Sequence, residues 1–154
     1  MTARALLLHP WTLRVSRGLL AVVMLSAAIP KLVDPPGFAQ SIFAYGLVPM
    51  AWAPPLALVL PWLEGLTALG LVMGIARRAA AALILGLMLL FIGALGINLV
   101  RGNPVDCGCF GAASPGVAPK TRDQRLDDMK LALLRDVGLA LLALHALARP
   151  KESE

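Results

Sequence analysis

The sequence predicts an all-α membrane protein, a four-helix transmembrane bundle with a short interfacial helix between the first and second spans. Hydrophobic residues make up 58% of the chain, charged residues only 15%, and the mean hydropathy is +0.77. A soluble domain of this size is far more polar. Residues 79–100 carry no formal charge, and at about 1.5 Å per residue they are long enough to cross a hydrocarbon core of about 30 Å. No internal repeat or linker divides the chain, so we expect a single domain over residues 1–154.

Four apolar segments predict the spans, at about 13–32, 52–76, 79–100 and 129–148. The first also fits a signal peptide with a cleavage site at Ser26-Ala27-Ala28. Its positively charged region is long, however, and the chain continues past Pro30 towards Asp34 as a helix leaving the membrane would. The last segment carries Arg135, Asp136 and His145 within its apolar run and is the least apolar of the four. Four spans are the working hypothesis.

Lysine and arginine near the span ends predict the orientation. Arg77 and Arg78 lie in the short turn between the second and third spans, which places that turn in the cytoplasm. Both termini are then cytoplasmic, and the loop at 101–128 lies outside a bacterial inner membrane. The net charge of +5 forms no contiguous basic face, so we expect no nucleic acid partner and assign the charge to anionic lipid.

Aromatic residues after the first span predict the interfacial helix. Phe38, Ile42 and Tyr45 follow one another at spacings of four and three, which places them on one helical face. Trp52 follows, and aromatic rings favour the headgroup depth of a bilayer. The alternative is an ordinary connecting loop.

The loop at 101–128 is rich in glycine and proline, which break regular structure. Near its end, Thr121 and Gln124 have the spacing of a capping box, in which each side chain satisfies a free backbone N–H of the other residue. A helix is therefore expected to begin there and to run into the last span.

Both cysteines of the chain lie in this loop, as Cys107-Gly108-Cys109. Residues two apart are separated by up to about 7 Å when extended, whereas a disulfide needs Cα atoms roughly 4.4–6.8 Å apart. The backbone must bend, and Gly108 permits it. A ring this small stabilises little, so the pair suits disulfide exchange better than a structural role. The charge of Arg101 favours the reactive thiolate form of a cysteine, and the charge of Asp106 disfavours it. The sequence does not tell which of the two effects is larger.

Two other roles remain for the cysteines. Soft-metal binding is disfavoured because His9 and His145 lie near the opposite side of the membrane, which leaves only two sulfur ligands. Linear two-thiolate copper(I) is still an option. A purely structural pair is the other.

Glu64 lies within the second span, where an ionised carboxylate costs about 2.5–3.5 kcal/mol on insertion scales. It therefore needs a proton or a cation, and Lys31 and Arg135 are the candidates. A proton relay and a simple interhelical hydrogen bond both fit Glu64. Arg135 and Asp136 are adjacent and are expected to point apart, with Arg135 reaching the outer surface; Asp136 is kept as a supporting candidate. Asn98 is expected to hydrogen-bond between helices.

Four stretches together resemble the MauE family, within the wider DoxX-like group of membrane proteins; they are Ser26 to Asp34, Ala44 to Pro49, Leu60 to Glu64 and Cys107 to Gly111. The resemblance implies a four-helix integral membrane protein of methylamine utilisation. Such proteins support a disulfide-rich periplasmic dehydrogenase subunit alongside a thioredoxin-like partner. It also implies that Cys107 and Cys109 form the redox pair and that Lys31 and Glu64 are membrane-embedded polar positions.

We therefore expect a membrane thiol–disulfide redox protein that exchanges electrons with an exported thioredoxin-like partner. One enzymatic alternative couples the cysteines to a membrane quinone, which requires a pocket between helices near them. Another alternative is a non-catalytic adaptor or copper(I)-handling protein. Survival of function without both cysteines would favour the adaptor.

Overall fold

The computed structural model describes residues 10–105 and 121–147, and all regular structure in these two ranges is helical. The α-helices are α1 (Pro10–Val33), α2 (Pro35–Ala44), α3 (Ala53–Met73), α4 (Arg77–Val100) and α5 (Arg122–Leu147), with a 3₁₀ turn at Met50–Trp52. The prediction of an all-α protein is confirmed for this part of the chain.

The four long helices pack in a ring, since α1 contacts α3 and α5, and α4 also contacts α3 and α5. Short α2 packs on α3 at one end of this ring. We call that end, where α4 finishes and α5 begins, the loop end, and the opposite end, where residues 74–76 join α3 to α4, the turn end. At the turn end Arg17 Nη2 of α1 donates to the carbonyl of Ala146 on α5 at 3.3 Å. Consecutive long helices therefore run in opposite directions.

Three helical segments are long and apolar enough to cross a membrane, at Trp11–Val33, Met50–Met73 and Arg77–Val100. Helix α5 occupies the fourth predicted span but carries more charge and does not meet that standard within the described residues. Helix α2 forms where the interfacial helix was predicted: Phe38 is buried, and Tyr45 caps its end. The fourth span and the interfacial position of α2 stay predictions.

Local sequence determines where the helices begin and end. Gly74 ends α3 in the left-handed region (φ 76°), where a side chain would meet the Arg77 guanidinium at 2.6 Å. Arg77 and Arg78 are consequently the first residues of α4 rather than part of the turn. At the start of α5, Thr121 N donates to Gln124 Oε1 at 2.9 Å and Gln124 N donates to Thr121 Oγ1 at 3.3 Å. The predicted capping box is confirmed.

Candidate functional site

A buried ion pair joins α1 to α3. Lys31 Nζ donates to Glu64 Oε1 at 2.7 Å and to Glu64 Oε2 at 2.9 Å. The two residues are only 3% and 1% exposed. Of the two cations considered for Glu64, Lys31 is thus its hydrogen-bonded partner. Lys31 Nζ also lies 5.0 Å from the ring centroids of Phe38 and Phe91, which add cation–π attraction.

Proline lies close to both partners of this pair. Pro30 precedes Lys31 inside α1, and Pro61 lies one turn before Glu64 inside α3. Because proline has no N–H, each removes one hydrogen bond from its helix. After Glu64, the Thr67 hydroxyl donates to the carbonyls of Leu63 (2.7 Å) and Glu64 (3.0 Å). Each helix therefore lacks one backbone hydrogen bond close to the pair, and on α3 the Thr67 side chain adds hydrogen bonds to two backbone carbonyls.

A second ion pair lies on α5. Arg135 Nε and Nη2 both donate to Asp136 Oδ1, at 3.0 and 2.7 Å. The expectation that these neighbours point apart is wrong, because the long Arg135 side chain folds back on the buried carboxylate. Arg135 is 27% exposed at its side chain, whereas Asp136 is 1% exposed. Asp136 Oδ2 is buried and receives no hydrogen bond from any described residue.

Both ion pairs line one small cavity. Its volume is about 20 Å³, enough for one water molecule and too small for a quinone ring. Helices α1, α3 and α5 contribute the charged groups Lys31, Glu64, Arg135 and Asp136, and the remaining wall is apolar. Met88 and Phe91 are the contribution of α4. Sequence reasoning did not identify either of them, since they lie in an uncharged run where nothing separates them from their neighbours.

The loop that follows α4 is anchored at the loop end. Asn98 Nδ2 donates to the carbonyl of Tyr45 at 3.1 Å and so links α4 to the end of α2. Asn103 Nδ2 donates to Asn98 Oδ1 at 3.2 Å. Arg122 Nη2, at the start of α5, donates to the carbonyl of Gly102 at 3.1 Å. The two described ends of the loop are therefore tied together.

Val105 packs into the helical bundle at the loop end, close to these hydrogen bonds. It is 5% exposed and forms an apolar layer with Leu95, Met129 and Ala132. Ala132 precedes Asp136 by four residues on α5, and Leu95 follows Phe91 by four residues on α4. One helical turn, a rise of about 5.4 Å, therefore separates this layer from the charged cavity.

Cys107, Gly108 and Cys109, together with Asp106, lie outside the described residues. Among the described residues no group of three His, Cys, Asp or Glu side chains could hold a metal ion. His145 lies in the last turn of α5, at the turn end, and His9 is outside the described ranges.

The described polar site is formally neutral when all four groups are ionised. Lys31, Glu64 and Asp136 are almost fully buried, so their charges are only weakly screened, whereas Arg135 is partly exposed. The charges of Asp136 and Arg135 both act on Glu64, and that of Lys31 acts on Asp136. The two pairs are therefore electrostatically coupled, and the arrangement can hold a proton or one small polar molecule.

Comparison with known proteins points to one family. The profile of the family "Methylamine utilisation protein MauE" matches residues 9–149. Proteins named methylamine utilization protein MauE are 45% identical over 107 residues in Methylorubrum extorquens, 35% over 133 residues in Methylophilus methylotrophus and 36% over 105 residues in Paracoccus denitrificans.

These alignments cover 69%, 86% and 68% of this chain, and 58%, 65% and 56% of the respective relatives. The chain thus spans about six tenths of the length of these relatives. No solved structure matches it.

Proposed function

The chain belongs to the MauE family of membrane proteins, and from this premise we propose that it is a thiol–disulfide exchange protein of methylamine utilisation. Cys107 and Cys109 form its redox pair. The partner is an exported thioredoxin-like protein, and the client is a disulfide-rich periplasmic protein such as methylamine dehydrogenase.

The exchange step balances without a further oxidant. A thiolate of the reduced protein attacks one sulfur of the other protein's disulfide, and a mixed disulfide forms while a thiolate leaves. The second cysteine of the attacking pair then breaks the mixed disulfide. One dithiol becomes a disulfide and one disulfide becomes a dithiol, so two electrons and two protons have moved.

The observation that carries the proposal is the anchoring of the cysteine loop at both ends. Arg122 joins its end to Gly102, and Val105, two residues before Cys107, is packed between α4 and α5. An exchanging dithiol benefits from being held at a fixed edge of a rigid scaffold, where a partner can dock. Both anchors are at the loop end.

We also propose that α5 is the fourth span. Its exposed residues Leu131, Leu134, Val137, Leu141 and Leu144 recur at spacings of three and four and so form one apolar stripe along the helix. The charged residues of its second half, Arg135 and Asp136, line the inner cavity instead. A helix with this distribution fits a lipid-facing position in the ring. Both termini then lie in the cytoplasm, and the cysteine loop lies in the periplasm.

Membrane-impermeant maleimide tests this orientation. Reduced cysteines should be labelled in intact spheroplasts. Labelling that requires lysis would place the loop in the cytoplasm and contradict the exported partner. A cysteine introduced at Arg78, at the turn end, is the matched control and should be labelled only after lysis, in a background in which both native cysteines are serine.

Trapping the mixed disulfide tests the function. Cys107→Ser and Cys109→Ser each leave one thiol, and at least one of them should accumulate a reducible adduct with a thioredoxin-like protein produced in the same cells. The double variant should show none. Full support of methylamine dehydrogenase maturation by the double variant would overturn the exchange function and favour an adaptor, and reduction-dependent copper(I) binding without an adduct would favour metal handling.

A further inference from the structure

Two hydrogen-bonding groups of the charged cavity have capacity to spare. Lys31 has three ammonium protons, of which two are donated to the oxygens of Glu64. Asp136 Oδ2 is buried and has no donor among the described residues. Both residues line the same cavity of about 20 Å³. An unsatisfied carboxylate oxygen in an apolar interior is destabilising, so native proteins supply a partner.

We propose that this cavity is a binding site for one water molecule, which accepts a hydrogen bond from Lys31 and donates to Asp136 Oδ2. The cavity volume suits a single water. The second proton of this water faces the carboxylate of Glu64. The water then has three polar partners, the usual number for a buried water. The water joins the two ion pairs into one network that spans α1, α3 and α5.

This network is also a proton-exchange site. When one carboxylate has taken up a proton from solvent, that proton passes to the water as the water releases another proton to the second carboxylate, so charge and atoms balance and no redox reagent takes part. Lys31 faces the cavity from α1, Glu64 from α3, and Arg135 and Asp136 from α5. Helix α4 contributes only the uncharged Met88 and Phe91.

Apolar layers isolate the site on both sides. The layer of Leu95, Val105, Met129 and Ala132 separates it from the loop end. Towards the turn end, Ile84 and Ala143 are fully buried in the main core. A proton that enters from bulk water as the pH falls is thus held within the site, where it is shared between Glu64 and Asp136. The proposal does not depend on the cysteine chemistry, because every residue that lines the cavity lies on α1, α3, α4 or α5.

Solid-state NMR of the full chain in phosphatidylcholine bilayers tests for the water. Magnetisation transferred from water protons should reach the Met88 methyl group, which is 3% exposed and lines the cavity. The methyl groups of Ile84, which is fully buried and does not line it, are the control and should receive none on the same timescale. Absence of transfer to Met88 in the unaltered protein would overturn the water site, whatever any variant does.

Two substitutions at Ala27, which also lines the cavity, sharpen the test. Ala27→Val fills the space with methyl groups while all four charged groups remain, so water transfer to Met88 should be lost. Ala27→Ser adds one hydroxyl instead of two methyl groups, so it is the matched polar control and should retain water transfer to Met88. Undiminished transfer in a folded Ala27→Val protein would contradict the site.

Carbon-13 shifts of the two carboxyl groups test the exchange. In the unaltered protein the Glu64 and Asp136 signals should change over one common pH range, because the two groups share the proton. In Ala27→Val they should change separately. Independent changes in the unaltered protein would reject the exchange network.

Discussion

Glu64 and Asp136 are equally buried and line the same cavity, yet they are held in different ways. Both oxygens of Glu64 accept from Lys31, a residue of another helix. Among the described residues only one oxygen of Asp136 accepts a hydrogen bond, and its donor Arg135 is the preceding residue and partly exposed. The first pair joins two helices directly, whereas the direct partner of Asp136 lies on its own helix. Burial alone therefore does not determine what a charged residue contributes to a membrane protein; the location of its partner does.

Lys31→Met is expected to have the largest effect. It leaves Glu64 buried without a cation and removes the link between α1 and α3, so the free energy of unfolding should fall by about 3–5 kcal/mol. Thermal and denaturant unfolding in detergent micelles measures the loss. The surface pair Lys130–Asp127, whose side chains are 62% and 72% exposed, is the matched control, and Lys130→Met should cost under about 1 kcal/mol.

The double variant Lys31→Met/Glu64→Met tests whether the two residues are coupled. Replacing both partners of a buried pair with apolar groups removes the stranded charge, so the double variant should be more stable than Lys31→Met alone. The pairing would be contradicted if the double variant lost as much free energy of unfolding as Lys31→Met and Glu64→Met lose together when measured singly.

Asp136→Asn should have a smaller effect and lower the free energy of unfolding by about 1–2 kcal/mol. Arg135 is partly exposed, so its guanidinium can reach water once the Asp136 carboxylate is gone. The same unfolding measurement applies. Asp127→Asn, on the exposed face of the same helix, controls for loss of charge and should be nearly neutral. A loss as large as that of Lys31→Met would contradict the difference between the two pairs, because it would show that Asp136 holds the helices together as strongly as the direct ion pair does.

Thr121→Ala should have the smallest effect. It removes one hydrogen bond of the exposed capping box that starts α5, and loss of such a cap typically costs about 1 kcal/mol. Helical content and unfolding midpoint report it. No change at all would mean that the start of α5 is held by Arg122 and its contact with Gly102 rather than by the cap.

Sequence alone was sufficient for features set by local spacing. The capping box at Thr121 follows from two residues three apart, and the uncharged run at 79–100 predicted the last residue of α4 and came within two residues of its first. Glu64 was recognisable because a carboxylate in an apolar run needs a partner. Whether Lys31 or Arg135 pairs with Glu64 could not be predicted from the sequence. That choice depends on how α1 and α5 are rotated about their axes and on the two prolines close to the pair.

Other features of the site had no sequence signal. Asp136 was a supporting candidate in the sequence, but only the packed ring shows that it lines the same cavity as Glu64. The Phe91 ring contributes to the site because it lies close to the Lys31 ammonium, a contact that depends on how α1 and α4 pack. The roles of Cys107 and Cys109 rest on the sequence and the family, and they stay predictions.

Alkylation of the purified protein across a graded series of glutathione redox buffers tests the exchange function most directly. Because Cys107 and Cys109 are separated only by Gly108, we expect a strained disulfide that forms in oxidising buffer and opens in mildly reducing buffer. A gel shift should therefore show both thiols passing together from blocked to labelled within the series. A pair that stays reduced in every oxidising buffer, or a disulfide that survives strong dithiothreitol in the folded protein, would contradict thiol–disulfide exchange.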